Sequence, residues 1–402
     1  MPTDSFTARV LVLNGFGNNL GDQAIFAGFV QHFGEAAAEA GVDVTVDQSF
    51  VYDFPFREST IATVNESYDL VILGGGGILY HRPRDASASG WGFDIPEALI
   101  ETLEVPFAIY AAGYNYRAFA EAHFPEHTAA HVRETVRRAA HFSMREHGSI
   151  RMLRERFGVT EGVRFVPDLA LHVEPARVHL PRLDPARKPV GVCLRLDKAR
   201  ERFGEPFAER FERFAGALVE SARQLVEEDG RQIVFTPHLL TRTDLEVAEL
   251  LRASLPEGSL LLLHEEIPSL YQAATLDNPA VLAGVYRKLD VVLGHRLHSV
   301  VIPFSVQTPA VSISSTASNA WIQEELGVPA EMHLDLCEPE RDVRTERIVG
   351  ALRRASADRA ALSERAFVRK TELVRVARDE TRALVEATLG ADAAPRPIAA
   401  AG

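Results

Sequence analysis

The segment richest in titratable and cationic side chains is "LGHRLHS", residues 293–299, which places His295, Arg296 and His298 directly behind the apolar run "KLDVV". The apolar run is typical of a buried strand. An imidazole exchanges protons near neutral pH, and a guanidinium binds carboxylate or phosphate through paired hydrogen bonds. If the strand continues, Arg296 and His298 project from the same face. The pattern predicts a site that binds an anion and moves a proton beside it.

A metal site is the alternative interpretation of this segment. His295 and His298 have a spacing that fits a metal-binding pair on a helix. However, no third ligand stands nearby in the sequence, and the chain contains no H-E-x-x-H motif. We therefore predict no metal, and we favour Arg296 and His298 as an anion-binding cation beside an acid or base.

Two further arginines end strand-like runs. Arg145 follows "HFSM", and Arg195 ends "VGVCLR". A guanidinium at the end of a buried strand needs a carboxylate or phosphate partner. For Arg195 the alternative is an ion pair with a nearby acid such as Asp197. For the turn "REHGS" the alternative is a helix cap with surface side chains at Glu146 and His147.

A glycine-rich turn, "NGFGNNLGDQAI" at residues 14–25, follows the first strand-like run. Its glycines Gly15, Gly17 and Gly21 have the spacing G-x-G-x-x-x-G, one residue longer than the dinucleotide-binding pattern, which argues against NAD. Backbone amides in such a turn can approach an anion, and Asp22 is predicted to cap a helix that begins at "QAIFAGF". The alternative is a tight strand-to-helix turn without a ligand.

Four consecutive glycines, Gly74 to Gly77, follow the apolar run "YDLVI". Such a run is costly in chain entropy, so it indicates a place where the backbone meets a ligand or another backbone. No Gly-Lys-Ser or Gly-Lys-Thr follows, which excludes a P-loop.

Short apolar runs alternate with helical stretches along the chain, which is typical of parallel sheets covered by helices on both faces. Two series of such runs, separated by a proline-rich stretch at 173–189, predict an α/β fold of two doubly wound, Rossmann-like domains. In such sheets ligands bind beyond the carboxyl ends of the strands, where the candidate residues stand. The predicted divisions are an N-terminal domain at 1–175, a C-terminal domain at 176–340, helices at 341–388 and a disordered tail at 389–402.

The composition matches that of a soluble globular protein, since 46% of the 402 residues are hydrophobic and 25% are charged. A net charge of −13 argues against general binding to nucleic acid, which needs a basic surface. The two cysteines, Cys193 and Cys337, lack the spacing of a metal site or a disulfide framework. The sequence shows neither a secretory signal nor a run of 18 apolar residues, so we expect a cytoplasmic protein.

Taken together, the motifs resemble those of the polysaccharide pyruvyltransferase family, over roughly residues 10–320. Their common order along the chain makes the resemblance specific. The matching segments are Asn19–Ile25 for an Asn-x-Gly-Asp-x-Ala-Ile-like turn, the run Gly74–Gly77, Arg145–Ser149 for Arg-Asp/Glu-x-x-Ser, Asp168–Ala170 where the family has Asp-Pro-Ala, and Gly294–Ser299 for Arg-Leu-His-Ser/Ala.

The resemblance implies a fold similar to that of GT-B glycosyltransferases, with the acceptor on the N-terminal domain and phosphoenolpyruvate on the C-terminal domain. It implies an enzyme that transfers the pyruvyl unit of phosphoenolpyruvate onto two hydroxyls of one glycan sugar as a cyclic ketal and releases phosphate. It implies that His298 donates the proton, while Arg195 and Arg296 hold the phosphate and carboxylate. Further substrate-binding residues implied by the match are Arg145, Asn19, Asp22, Gly75, Gly76, His147 and Ser299. Such chemistry needs an acid and anion clamps but no redox cofactor, so no cofactor is expected.

Residues 314–319, "SSTASN", depart from the family, which commonly has an aromatic or acidic residue followed by lysine there. The departure removes one expected cation.

Two alternatives remain open: a nucleotide-sugar-dependent glycosyltransferase of the same fold, and a catalytically inactive glycan-assembly protein. The expected acceptor is a nucleotide-linked or lipid-linked sugar. A lipid-linked acceptor would require peripheral membrane contact, for which the basic helical stretch 353–370 is the candidate. The sequence does not indicate an oligomeric state.

Overall fold

In a computed structural model, which describes residues 7–79, 97–114, 126–196, 203, 206–336 and 343–390, the first half of the chain forms a parallel sheet of six strands. The strands are β1 (Thr7–Asn14), β2 (Asp43–Phe50), β3 (Leu70–Leu79), β4 (Phe107–Tyr114), β5 (His141–Met144) and β6 (Arg164–Phe165). They lie in the order β2-β1-β3-β4-β5-β6. The helices of this half are α1 (Leu20–Glu39), α2 (Glu58–Ser67), α3 (Glu97–Thr102), α4 (Glu126–Arg138) and α5 (His147–Phe157).

The second half forms another parallel sheet of six strands. The strands are β7 (Val190–Cys193), β8 (Ile233–Phe235), β9 (Leu260–Leu262), β10 (Val291–Gly294), β11 (Ala310–Ser314) and β12 (His333–Asp335). They lie in the order β12-β11-β10-β7-β8-β9. The described helices are α6 (Phe207–Glu227), α7 (Arg242–Ser254), α8 (Leu263–Glu266), α9 (Asn278–Tyr286), α10 (His298–Ser305), α11 (Ala317–Leu326), α12 (Thr345–Ala357) and α13 (Arg359–Leu389).

The predicted fold of two doubly wound parallel sheets is confirmed. In each sheet the strand order reverses once, between β1 and β3 in the first and between β7 and β10 in the second. Ligands of open α/β sheets bind outside the carboxyl ends of the strands at such a reversal. The glycine-rich turn, Arg195 and the segment "HRLHS" each follow one of these four strands, and the glycine run lies within β3.

The register between β7 and β10 brings two candidate segments together. Cys193 pairs with Gly294, so the chain leaves both strands at the same level. The amide of His295 then donates to the carbonyl of Cys193 at 2.8 Å, and the amide of Arg195 donates to Nδ1 of His295 at 3.3 Å. The two segments therefore leave the sheet side by side.

One apolar cluster joins the two halves. It contains Val10 and Val12 of β1, Val292 of β10 and the buried face of α13 around Leu384. Burial of this shared surface favours a fixed arrangement of the two sheets.

The long helix α13 extends back onto the first half of the chain. Arg382 pairs with Glu39 at 2.6 Å, and the hydroxyl groups of Thr381 and Tyr110 lie 2.5 Å apart.

Of the predicted C-terminal tail, residues 391–402 lie outside the described residues. Within the described part of the chain, no helix combines the length and apolar character needed to cross a membrane.

Candidate active site

The N-termini of α1 and α10 meet where the two sheets face each other. The strand β10 ends at Gly294 and α10 begins at His298, so the expectation that Arg296 and His298 lie on a continuing strand is wrong. The amide of Leu20, at the start of α1, donates to the carbonyl of His238 at 2.9 Å. This bond joins α1 directly to the second half of the chain.

His298 is the central imidazole of this junction and is only 8% exposed. Its Nε2 lies 3.3 Å from Oδ2 of Asp168. On the other side of the ring Gly21 packs so closely that a Cβ atom there would lie 2.7 Å from Cγ of His298 and closer still to Nδ1. Because Asp168 occupies Nε2, Nδ1 is the nitrogen that faces the N-terminus of α1.

Asp168 is a fully engaged carboxylate, 1% exposed. Its Oδ1 accepts from the amide of Ala170 at 3.0 Å, and its Oδ2 accepts from Nη1 of Arg145 at 3.1 Å. Burial acts to raise the pKa of Asp168, but the charge and hydrogen bond of His298, together with Arg145, outweigh it and hold the pKa well below its usual value. Asp168 is therefore a permanent negative charge beside His298.

Asp168 belongs to a matched motif but not to the predicted site residues. It follows the strand-like run "VRFV", and this position after a strand was the signal that could have identified it.

His238 is a second residue absent from the prediction. It follows β8, is fully buried and lies 2.7 Å from the hydroxyl of Tyr286 through Nε2. Burial, followed by the charges of Arg296 and His298, holds the pKa of His238 well below its usual value.

Arg145 lies behind Asp168 in a buried network of side chains. Its Nε donates to Oε2 of Glu146 at 3.0 Å. Ser149 donates to Oε1 of the same carboxylate at 2.7 Å and accepts from the amide of Tyr114 at 2.8 Å. Burial raises the pKa of Glu146 to about 7, despite the neighbouring Arg145. In this arrangement Arg145 binds protein carboxylates, and its predicted contact with substrate stays a prediction.

Asp22 differs from the other acids of the site because it has no hydrogen-bond partner among the described residues. The prediction that Asp22 caps α1 is wrong, since α1 begins earlier, at Leu20, and Asn19 is the cap, accepting from the amide of Gly21 at 3.0 Å. Asp22 lies half-buried in the first turn. Burial raises its pKa, and the positive charges that oppose this shift belong to His298, Arg145, Arg296 and Arg195.

Arg296 and Arg195 provide the cationic side chains of the second half at this junction. Arg296 is 6% exposed, and its Nε donates to the carbonyl of Leu194 at 3.1 Å. Ser299 supports the turn, since its hydroxyl donates to the Arg296 carbonyl at 2.6 Å and accepts from the Arg296 amide at 3.1 Å. His295 is fully buried, with Nε2 3.3 Å from the hydroxyl of Ser315. These contacts orient the arginines without using His295 for chemistry.

The glycine run lies against α1. Gly75 and Gly76 have φ values of +73° and +81°, which L-amino acids with side chains rarely adopt. A Cβ atom on Gly75 would collide with Ile25, and one on Gly76 would lie 3.8 Å from Oδ1 of Asp22. The run thus allows the Ile25 side chain of α1 to pack against β3. The predicted close approach of a second backbone occurs at Gly74, where a Cβ atom would collide with the carbonyl oxygen of Tyr110 on β4.

His147 lies apart from this cluster. It is 63% exposed on its side chain, and its Nδ1 lies 2.8 Å from Oε1 of Glu325 on α11. Its ring stacks on Phe165 at 4.4 Å. These contacts make His147 a link between the halves, and nothing brings it next to His298.

The site therefore combines an imidazole with a fixed counter-charge, two guanidinium groups and one carboxylate to which no described residue donates a hydrogen bond. Among the residues that the structure describes, no group of three or more His, Cys, Asp or Glu side chains is arranged to hold a metal ion. The arrangement is suited to bind an anion and to transfer protons next to it.

Comparisons with known proteins bear on the fold and the family. A family model described as polysaccharide pyruvyl transferase matches residues 19–316. No curated protein matches the chain. Among solved structures, a putative UDP-N-acetylglucosamine 2-epimerase from Listeria monocytogenes has a TM-score of 0.58 at 13% identity, covering 97% of this chain and 98% of that one. At such identity the likeness concerns the fold alone.

Two further solved structures were determined with nucleotides. S. aureus MnaA with UDP has a TM-score of 0.53 at 13% identity, covering 94% of each chain. Anabaena Alr3699/HepE in complex with UDP-glucose has a TM-score of 0.51 at 12% identity, covering 94% of this chain and 100% of that one.

Proposed function

The chain belongs to the polysaccharide pyruvyl transferase family, and from this membership we propose that it transfers the pyruvyl unit of phosphoenolpyruvate onto two hydroxyls of a glycan sugar as a cyclic ketal. The observation that carries the proposal is the pairing of His298 with Asp168 at 3.3 Å, next to two guanidinium groups. A proton donor beside an anion clamp is what an enol phosphate requires.

His298 is the proposed proton donor to C3 of phosphoenolpyruvate. Asp168 holds Nε2 and stabilises the imidazolium, so the proton is exchanged at Nδ1, on the side of Gly21. Protonation of C3 makes C2 resemble an oxocarbenium ion, to which a sugar hydroxyl adds. A side chain at position 21 would cover Nδ1, which gives a physical reason for the glycine.

Arg195 and Arg296 are the proposed clamps for the phosphate and carboxylate of the donor. The positive charges of both arginines act to lower the pKa of Asp22, which supports their placement in the same part of the junction. Where the family commonly has a lysine, this chain has buried hydroxyl groups at the start of α11, with Thr316 donating to Oδ1 of Asn319 at 3.0 Å. The loss of that cation leaves more of the phosphate charge to the two arginines.

Thermal unfolding with phosphoenolpyruvate, UDP-glucose and UDP-N-acetylglucosamine as separate ligands tests the donor. Phosphoenolpyruvate at 100 times its Kd should stabilise the protein by about 2.7 kcal/mol. Arg195→Ala and Arg296→Ala should lose this shift, whereas Arg242→Ala, at a side chain that is 93% exposed, should retain it. Stabilisation by a nucleotide sugar alone would overturn the proposed donor.

A nucleotide sugar remains the second candidate, because MnaA and HepE share the fold and were solved with UDP or UDP-glucose. A UDP-linked sugar is also compatible with the first proposal, as the acceptor. In that case phosphoenolpyruvate and the nucleotide sugar should each stabilise the protein, and phosphate release should require both. A cytoplasmic location and a lipid-linked acceptor remain proposals as well.

A further inference from the structure

Two carboxylates lie near His298 and have opposite environments, Asp168 in contact with its imidazole and Asp22 next to Gly21, which packs on the same ring. Asp168 accepts hydrogen bonds through both oxygens, and its pKa is held well below the usual value. Asp22 accepts none from any described residue, and burial raises its pKa. When the surroundings of two titratable groups shift their pKa values in opposite directions, the two groups can take different roles in proton transfer.

Glycines border the carboxylate of Asp22. The carboxylate follows Gly21, which packs on the Nδ1 side of His298. A Cβ atom at Gly15 would lie 3.6 Å from its Cγ, and one at Gly76 would lie 3.8 Å from its Oδ1. Because glycine stands at both positions, no side chain of these residues fills the space next to the carboxylate.

The charge of Asp22 excludes a direct role in holding phosphoenolpyruvate. A carboxylate repels the phosphate and carboxylate groups of the donor at close range. The charged groups that face Asp22 are His298 of α10, Arg145 after β5, Arg296 after β10 and Arg195 after β7. These cations oppose the effect of burial and favour the ionised form of Asp22, the form that can accept a proton from a neutral ligand.

We propose that Asp22 is the base that removes the proton from the first acceptor hydroxyl, an assignment that rests on the proposed pyruvyl transfer. As that proton moves to Asp22, the hydroxyl oxygen forms its bond to C2. The bond between C2 and the phosphate oxygen then breaks, its electron pair leaves on the phosphate, and the phosphate takes the proton from Asp22.

The remaining proton transfers close the cycle without a co-reactant. C3 gains the proton that His298 donates, so the imidazole becomes neutral. The second hydroxyl adds to C2, completes the ketal and returns a proton to His298. The proton of the first hydroxyl thus leaves on the phosphate, and the proton of the second hydroxyl replaces the proton that His298 gave to C3. Asp22 ends as a carboxylate and His298 ends protonated, as each began.

Steady-state kinetics of Asp22→Asn and Asp22→Ala test this assignment. The assay measures phosphate release from phosphoenolpyruvate with 4-nitrophenyl β-galactoside, β-glucoside and β-mannoside as acceptors. Asp22→Asn should lower kcat by roughly 10²- to 10⁴-fold, the usual contribution of a general base, while KM for phosphoenolpyruvate stays constant or falls because a repelling charge is gone. Asp43→Asn, at the exposed start of β2, should behave as the wild type.

Added formate supplies a measurement that a purely structural role would not affect. A small carboxylate can enter the space left in Asp22→Ala, so formate should raise its turnover, whereas the wild type should not respond. A retained thermal shift with phosphoenolpyruvate shows that both variants are folded. Unchanged kcat in Asp22→Asn, or no response of Asp22→Ala to formate, would overturn the role of Asp22. No phosphate release by the wild type with any acceptor would instead overturn the proposed function itself.

Discussion

Replacement of Asp168 by asparagine separates a catalytic role of this carboxylate from a structural one. Asparagine keeps the size of the side chain and an oxygen for the amide of Ala170, 3.0 Å away. It removes the charge that faces Nε2 of His298 at 3.3 Å and Nη1 of Arg145 at 3.1 Å. A hydrogen bond to a charged group contributes about 1.5–3 kcal/mol. Since this bond orients the imidazole and supplies its counter-charge, we expect kcat to fall roughly 10- to 150-fold.

The loss of turnover in this variant should be present across the neutral pH range. Asp168 is ionised throughout that range, because its pKa lies well below the usual value. Asp168→Asn therefore lacks a counter-charge that the wild type has at every pH of the range, so its kcat should be below that of the wild type throughout. Phosphate release from phosphoenolpyruvate, measured across neutral pH with an acceptor that the wild type uses, tests this expectation.

Asp290→Asn is the matched control for this experiment. Asp290 accepts from Arg231 at 2.8 Å, and both side chains are mostly buried, but neither belongs to the site. Both variants lose a buried ion pair, so both should unfold at lower temperature. Only Asp168→Asn should lose turnover. Equal kcat in the two variants would refute the assignment of Asp168 as the partner that positions His298.

Two further changes test other parts of the site. Gly21→Ala should reduce turnover more than about 100-fold because a methyl group there would press on His298. Gly34→Ala, in the same helix with open space around its Cβ, should keep turnover and add roughly 0.5–1 kcal/mol of stability, and equal turnover in both would contradict this reasoning. Glu146 has its pKa raised from 4.5 to about 7 by burial, so its protonated form is favoured by folding. Relative to Glu146→Gln, the wild type should therefore lose about 3 kcal/mol of unfolding free energy as pH rises from about 4.5 to about 7, measured by urea unfolding, and parallel profiles would refute it.

The contrast between Arg145 and Arg195 shows what residue type and spacing can and cannot predict about a side chain. Both follow a strand and both were predicted to bind substrate. The structure surrounds Arg145 with Glu146 and Asp168, at 3.0 Å and 3.1 Å. Arg195 instead emerges beside His295 at the reversal of the second sheet. A run of sequence places an arginine at a strand end, but it does not reveal which distant carboxylate will approach it.

The sequence by itself determined that the chain forms two parallel sheets and that the candidate residues lie at the carboxyl ends of their strands. The period and length of apolar runs are local properties, so the strands other than β12, and the residues that follow them, could be identified without knowledge of the rest of the chain. The three-residue strand β12 was not predicted. The family resemblance, carried by segments in a common order, was confirmed on the same basis.

Only the tertiary structure decided which of these residues act together. Asp168 and His298 are 130 positions apart and follow strands of different sheets, β6 and β10. Gly21 packs on the same imidazole, with Asp22 next to it in the chain, because α1 and α10 begin at facing strand reversals. Contacts of this kind depend on the packing of one half against the other, and no local spacing encodes that packing. For this reason the partner of His298, and the contrast between its two neighbouring carboxylates, became visible only in three dimensions.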